Sequence, residues 1–230
     1  RTPLTVILGY LEAMHDRRDS LPERWRQSLD QMLHHGMRLE RVLEDLLLLS
    51  RIETAESGSS AREGHPVAVP TLLRTLADEA RALSNGRHQI HLYNDEGIDL
   101  LGEEDPLRSA FSNLVHNAIR YTPEGGTIDL VWQRFEGGAR FLVRDTGIGI
   151  PAEHIPRITE RFYRVDVSRS RAQGGTGLGL AIAKHVLQEH GAKLHIDSVV
   201  GEGSSFACDF PEERLVRDDA EDLVTCTASV

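Results

Sequence analysis

Gly174-Gly175-Thr176-Gly177-Leu178-Gly179-Leu180, running on into Ala181-Ile182-Ala183-Lys184, decides how the rest of this chain is understood. Glycines lack Cβ, so successive backbone N–H groups turn toward one point, and the helix that follows adds the positive end of its dipole. Leu178, Ile182 and Leu187 supply that helix with its apolar spacing. A loop entering a helix in this way is a phosphate cradle. It lacks the Gly-Lys-Ser/Thr of a P-loop and the preceding strand of a dinucleotide fingerprint. Alone, it reads better as a linker or a tight turn between helices. Its company decides otherwise: a second glycine cluster at Asp145-Thr146-Gly147-Ile148-Gly149-Ile150, and the pair Asn113 and Asn117. The three together read as one nucleotide site.

Asn113 and Asn117 are four apart and so share a helix face. A neutral amide oxygen holds Mg²⁺ beside phosphate oxygens without adding negative charge near a triphosphate; an isolated pair of this kind is usually just solvated. Arg120 and Tyr121 follow, the first suited to phosphate and the second to the face of a purine. His116, between the amides, reads as a helix-surface imidazole. Asp145 ends a strand, which places its carboxylate at a sheet edge facing a pocket, where it can accept from an adenine amino group. Capping its own Asx-turn at Thr146-Gly147 is the alternative. From 150 to 174 the chain carries Arg157, Arg161, Arg164, Arg169 and Arg171 against Glu153, Glu160 and Asp166. A cationic flap between two glycine clusters suits an anionic ligand.

Composition closes off other classes. The 230 residues carry a net charge of -10, which argues against direct nucleic-acid binding. Two cysteines, Cys208 and Cys226, are too few for a disulfide framework and have no zinc spacing, so a reducing compartment is expected. No apolar run reaches the length of a membrane span. The chain opens at Arg1-Thr2-Pro3 with neither initiator Met nor signal peptide, and is expected to be a fragment of something longer.

Four segments follow in order. Residues 1–56 form a helical hairpin, with Leu4, Ile7, Leu8, Leu11 and Met14 on the first helix and Leu29, Met32, Leu39, Leu43 and Leu46 on the second, widened by Leu33 and Leu47. One hairpin cannot cover both stripes, so dimerisation into a four-helix bundle is expected. Residues 57–66 are a small-residue linker. Residues 67–211 hold a strand at Val67 to Val69, a helix from Pro70 to Leu83 and a strand from Gln89 to Tyr93. A helix capped by Asp105, with Pro106 first, then runs to Tyr121. Strands at Thr127–Phe135 and Arg140–Asp145, turned by Glu136-Gly137-Gly138, lead to a helix from Gly177 to His190 and strands at Lys193–Val199 and Ser205–Phe210. Mixed helices and mainly antiparallel strands imply an α+β sandwich with helices on one sheet face. Residues 212–230 are an acidic tail expected to fray or dock weakly.

As a set, these residues resemble the sensor histidine kinases of two-component signalling. Arg1-Thr2-Pro3-Leu4-Thr5 resembles the end of that family's phosphoacceptor box, in which His-Glu-Leu precedes Arg-Thr-Pro-Leu. Ser112-Asn113-Leu114-Val115-His116-Asn117-Ala118-Ile119-Arg120-Tyr121-Thr122 is similar to its Asn box. Asp145 to Gly149 resembles the first glycine box, Glu160-Arg161-Phe162-Tyr163-Arg164 the Phe box, and Gly175 to Gly179 the second glycine box. Gly201-Glu202-Gly203-Ser204-Ser205-Phe206 resembles its terminal strand motif. Within the family, Arg1 to Leu11 and Arg161 to Arg171 are most similar to the phosphate-regulon branch.

The resemblance implies a dimerisation and phosphotransfer hairpin, then the α/β-sandwich ATP-binding fold shared with Hsp90, the mismatch-repair ATPases and type II topoisomerases. It implies that Asn117 and Asn113 hold Mg²⁺, that Asp145 reads adenine above Gly147 and Gly149, and that Tyr121 packs on the base. Residues 150 to 174 become a lid over ATP, with Arg164, Arg169, Arg171 and Thr176 near the phosphates beside Gly175, Gly177, Leu178 and Gly179. A homodimer, a response-regulator receiver domain as partner, and a cytoplasmic position in a bacterial inner-membrane sensor follow in the same way, the membrane being reached through segments ahead of Arg1. The acceptor His and its neighbouring Glu fall upstream of Arg1, and none of the 11 histidines has their context. The chain is therefore expected to bind ATP without labelling itself, while the intact protein phosphorylates a His and then a regulator Asp. Thr2 takes the position that helps orient water when the regulator is dephosphorylated. An Hsp90-type ATPase needs a carboxylate in the Asn-box helix, and Ser109 to Asn113 offers none; a regulator-docking module without chemistry is the other alternative.

Overall fold

The computed structural model describes residues 2–16, 21–33, 64–95, 97–165 and 176–216 and, singly, positions 36, 39 and 43. The chain divides into two compact units, one of residues 1–58 and 167–176, the other of residues 59–166 and 177–230.

The first unit is helical. Helix α1 is Thr2–His15 and α2 covers residues 23–33, with positions 36, 39 and 43 also helical. The apolar positions of α1 sort into two stripes. Leu8 is buried, with Leu4 and Leu11 half-buried beside it, and Gly36 lies so close that a Cβ there would stand 2.6 Å from Leu8 Cδ2. His15 Nε2 meets Asp30 Oδ1 at 3.4 Å, a second tie between the two helices. Ile7 and Met14, expected in that same stripe, instead face outward with Tyr10 between them, at helical spacing of three and four. Leu46 and Leu47 lie outside the described residues.

The second unit is an α+β sandwich. Strands β1 (His65–Val67) and β3 (Leu100–Gly102) form an antiparallel pair. The main sheet has the order β2-β4-β5-β7-β6, from β2 (Gln89–Asn94), β4 (Thr127–Phe135), β5 (Gly138–Asp145), β6 (Lys193–Val199) and β7 (Gly203–Pro211). Every pairing is antiparallel except β2 with β4, which run parallel from Gln89↔Thr127 to Asn94↔Trp132. Helix α4 (Glu104–Tyr121) lies between β2 and β4 in the chain and makes that parallel return possible, because the crossover needs a helix on one face. With α3 (Val69–Ser84) and α5 (Gly179–Glu189) it covers the sheet. Period-two burial in β4 and β7 sends Ile128, Leu130, Trp132, Phe206, Cys208 and Phe210 inward. Phe111 of α4 stacks 4.4 Å from Phe141 and edge-on to Phe210, and Trp132 Nε1 donates to Ile98 O at 3.0 Å.

Several boundaries move. Val69 opens α3 rather than ending a strand, since Pro70 is tolerated within the first turn, where an N–H has no acceptor. Asp105 does not cap α4: the cap is Glu103, in extended conformation, and Pro106 falls third, still among the orphan N–H positions. Glu104 and Asp105 instead place carboxylates in the first turn, favourable to the dipole. Gly138 pairs with Phe135, so the β4–β5 turn is only Glu136-Gly137. Helix α5 starts at Gly179, because Gly177 has φ of 74°. The segment after Pro211 docks at first: Glu212–Arg214 make a 3-10 turn, Leu215 is buried against Leu100, and Val216 N donates to Asp99 O at 3.0 Å.

Candidate functional site

The predicted site residues of the second unit gather around α4, and glycines make the approach possible. Tyr121, the last residue of α4, accepts at its carbonyl from Ile148 N at 3.1 Å. A Cβ on Gly147 would stand 2.7 Å from that same oxygen and 2.5 Å from Asp145 Oδ1, so only glycine fits. Asp145 is 6% exposed, and its Oδ1 accepts from Gly147 N at 2.8 Å. The Asx-turn and the candidate base reader are therefore one carboxylate. It does not stand at a lateral edge of the sheet, as expected: β5 is the central strand, flanked by β4 and β7, and Asp145 is its last residue. Burial pushes the Asp145 carboxyl above the ordinary carboxylate range, while the N–H groups of Gly147 and Ser204 draw it back.

The turn beyond Asp145 is locked from the other side. Gly149, φ 69°, lies against the Val199 carbonyl, Gly201 N donates to Ile148 O at 2.9 Å, and Ile150 N donates to Ser198 Oγ at 2.8 Å. Ser198 and Val199 carry no sequence signal of their own; a serine three residues before a turn glycine is too common to single out.

The second glycine run reaches α4 from α5. A Cβ on Gly179 would stand 2.6 Å from Asn113 Oδ1, so the first residue of α5 abuts the Asn face. Leu178, fully buried, anchors the helix start. Phe162 N donates to Gly177 O at 2.9 Å, and Phe162 itself has φ of 63°, a left-handed conformation costly for a side-chain-bearing residue. That clasp ties the Phe segment to the glycine run.

Asn113 and Asn117 are half-buried, and their amides make no hydrogen bond among the described residues. Arg120 stacks over the Tyr121 ring at 5.3 Å, a cation–π contact. Arg164 is half-buried, and its Nη2 is shielded from water with no hydrogen-bond partner among the described residues. Open amide oxygens, a shielded guanidinium nitrogen and a helix start lined by glycine form a donor and acceptor set that fits a nucleotide with a divalent cation. Arg157 is differently employed: it pairs with Glu160 at 3.3 Å and lies over Tyr163 at 4.4 Å, while Tyr163 Oη meets His154 Nδ1 at 2.7 Å. His116 is half-buried and 3.3 Å from Ser112 Oγ, not the surface imidazole expected. A separate cavity of about 460 Å³, lined by His65, Val67, Gly102, Glu103 and Pro106, lies at the opposite end of α4 and contains none of the predicted residues.

Residues 102–214 match the family described as "Histidine kinase-, DNA gyrase B-, and HSP90-like ATPase", and residues 1–55 match the "His Kinase A (phospho-acceptor) domain". The chain belongs to the sensor histidine kinases. It is 51% identical over 211 residues to the phosphate regulon sensor protein PhoR of Pseudomonas aeruginosa, covering 91% of this chain and 47% of that protein. To the PhoR protein of Haemophilus influenzae it is 38% identical, with 94% of this chain and 50% of that protein covered. The chain thus spans about half the length of the curated relatives it matches. Among solved structures, full-length ShkA in complex with AMPPNP is 27% identical with a TM-score of 0.70, covering 92% of this chain and 43% of that one. The histidine kinase AdeS of Acinetobacter baumannii, 18% identical, shares the fold at a TM-score of 0.62 over 92% of this chain and 96% of that one.

In this sensor histidine kinase chain the structure assembles Asn113, Asn117, Arg120, Tyr121, Asp145, Gly147, Gly149, Gly177, Leu178 and Gly179 around α4 and its neighbours. Arg169, Arg171 and Gly175 lie outside the described residues. Thr176 belongs to the helical unit, as does Thr2, the first residue of α1. Among the described residues no helix is long and apolar enough to cross a membrane.

Proposed function

We propose that this chain is the nucleotide-binding and phosphotransfer core of a homodimeric sensor histidine kinase. The intact protein transfers the γ-phosphoryl group of ATP to a histidine and then to an aspartate of a response-regulator receiver domain. The observation that carries the reading is the meeting of two glycine-dependent approaches on α4, Gly147 at Tyr121 and Gly179 at Asn113, with Gly177 tying the Phe162 segment to the start of α5. ShkA, 27% identical, has been captured with AMPPNP, which favours an adenine nucleotide in the same place.

Each residue has a distinct task. Asp145 accepts from the adenine amino group and selects adenine over guanine. Tyr121, braced by Arg120, covers the base. Asn113 and Asn117 offer amide oxygens to Mg²⁺, whose chemistry when bound is to neutralise phosphate charge. The start of α5 at Gly179 presents N–H groups to the phosphates, and Arg164, Arg169, Arg171 and Thr176 add donors from the lid. Positioning and charge neutralisation are what phosphoryl transfer asks of a protein. Thr2 serves the reverse traffic, orienting water against a phosphorylated regulator. Residues 57–66 join the hairpin to the ATP-binding domain, and the protein sits as the cytoplasmic portion of a bacterial inner-membrane sensor.

An Hsp90-type ATPase is disfavoured because α4 carries no carboxylate from Ser109 to Tyr121 to activate water. Label from γ-labelled ATP decides the matter. A protein that includes the residues upstream of Arg1 is expected to take label that is lost in acid and kept in base; this chain is expected to bind ATP and remain unlabelled. Label on this chain would place the acceptor among its own histidines. Steady ATP hydrolysis without label would restore the ATPase reading.

A further inference from the structure

The turn that ends α4 is held from behind by a histidine outside the nucleotide site. His88 Nε2 lies 3.0 Å from Thr122 O, its Nδ1 lies 3.0 Å from Ser84 Oγ, and its own N–H donates to Ser84 Oγ at 3.0 Å. A carbonyl only accepts, so Nε2 carries the hydrogen and Nδ1 accepts from the Ser84 hydroxyl, which leaves every polar atom of the unit paired in one orientation. Ser84 and Thr122 are both buried. Thr122 is bonded back to the last turn of α4 through its N–H and its hydroxyl, both to Ala118 O. The neighbouring loop is clasped as well: Gly125 N donates to Arg87 O at 2.7 Å and Gln89 N to Gly126 O at 2.9 Å. One residue before Thr122 stands Tyr121, whose carbonyl receives Ile148 N from the turn that Asp145 organises.

We propose that His88 is a positioning residue for the nucleotide site, fixing the end of α4 so that Tyr121 and the Asp145 turn meet the base in one geometry. This rests on reading the site as an adenine-nucleotide site. Because His88 acts through the base end, its loss reduces base discrimination as well as affinity, which a staple that merely stabilises the fold does not do. Glutamine retains an N–H that reaches toward Thr122 O, so His88→Gln preserves most of the effect, whereas His88→Ala removes it.

The test is calorimetric titration of the whole chain with the non-hydrolysable adenine and guanine triphosphates AMPPNP and GMPPNP, each with Mg²⁺, alongside thermal melting. His88→Ala, still folded at the titration temperature, is expected to bind AMPPNP about 10-fold more weakly, one hydrogen bond's worth of positioning, with a smaller AMPPNP-to-GMPPNP ratio, and His88→Gln to recover both. A folded His88→Ala with wild-type affinity and ratio would overturn the proposal. So would equal losses for the two nucleotides. Should His88→Ala not fold, Ser84→Ala, which releases the ring from its other partner, must show the reduced ratio or the proposal fails. Wild-type chain that binds neither nucleotide would instead overturn the site assignment itself.

Discussion

Asp145 and His190 show how far single buried groups govern this domain. Burial raises the Asp145 carboxyl, so its ionised form, the one proposed to read adenine, is held at a cost to the fold. A raised folded pKa contributes stability below the unfolded value and loses it as pH rises through the folded one. Asp145→Asn removes that titration while its oxygen can still accept from Gly147 N. Its amide nitrogen then faces the base, donor against donor for adenine but donor to acceptor for guanine. The expected outcome is a variant no less stable than wild type at pH 7, with the difference narrowing at lower pH. Its adenine nucleotide affinity is expected to fall roughly 10- to 100-fold, as for a charged hydrogen bond worth about 1.5–3 kcal/mol. Denaturant titrations across pH and calorimetry with both nucleotides check it; unchanged adenine preference would remove Asp145 from the site. His190 is pushed the other way, downward, by burial first and by Arg214 as well, against the Val186 carbonyl and the carboxylates of Glu189 and Glu103. Its Nδ1–H donates to Val186 O at 2.8 Å and its Nε2 accepts from Glu103 N at 3.3 Å, so a second proton would set two donors face to face. Here stability is full above the unfolded value near 6.5 and lost as pH falls through the folded one. Replacement by Ala is expected to cost about 1–3 kcal/mol at pH 7, leaving the Glu103 N–H unpaired, and to flatten the acid limb of the stability profile. An acid limb of the same slope in the variant would assign the loss to another group.

At the scale of elements, what could be read beforehand follows the length and regularity of each pattern. Helix α4 and strand β4 were legible because long periodic runs repeat the same information, and the alternation in β4 holds from Thr127 to Trp132. Strand β3 was not, since Leu100–Gly102 is too short to alternate. The parallel pairing of β2 with β4 depends on α4 crossing the sheet, which no local pattern encodes. The split of α1 into Leu8 inward and Ile7, Tyr10 and Met14 outward was also hidden, because a hydropathy pattern marks apolar residues without saying which neighbour covers them. In and around the site, the glycines that touch side chains or carbonyls announced themselves, whereas His88, behind the site, and Ser198 did not. Their roles come from partners 34 and 48 residues away in sequence.

At the scale of the whole molecule, the two units place opposite demands on solvent. The ATP-binding unit buries Trp132, Phe111, Phe141 and Phe210 in its own core and needs no partner to cover them. The helical unit leaves Ile7, Tyr10 and Met14 of α1 exposed together with Trp25, Met32 and Leu39, the latter three spaced by sevens. Apolar stripes of that regularity on both helices exceed the scattered exposure normal for a surface. A second copy of the hairpin presents the same stripes, and two-fold pairing brings each onto its counterpart in a four-helix bundle. The chain is therefore expected to sediment at twice its 25.6 kDa mass at micromolar concentration. Ile7→Glu with Met32→Glu, charges placed where burial would strand them, is expected to shift it to monomer while leaving AMPPNP affinity within about 2-fold, because Asn113, Asn117, Tyr121, Asp145 and Gly179 all belong to the other unit. Sedimentation equilibrium beside calorimetry reads both quantities. Wild-type chain that stays monomeric at those concentrations, or a double variant that stays dimeric, would mean that the exposed stripes have some other cover than a second hairpin.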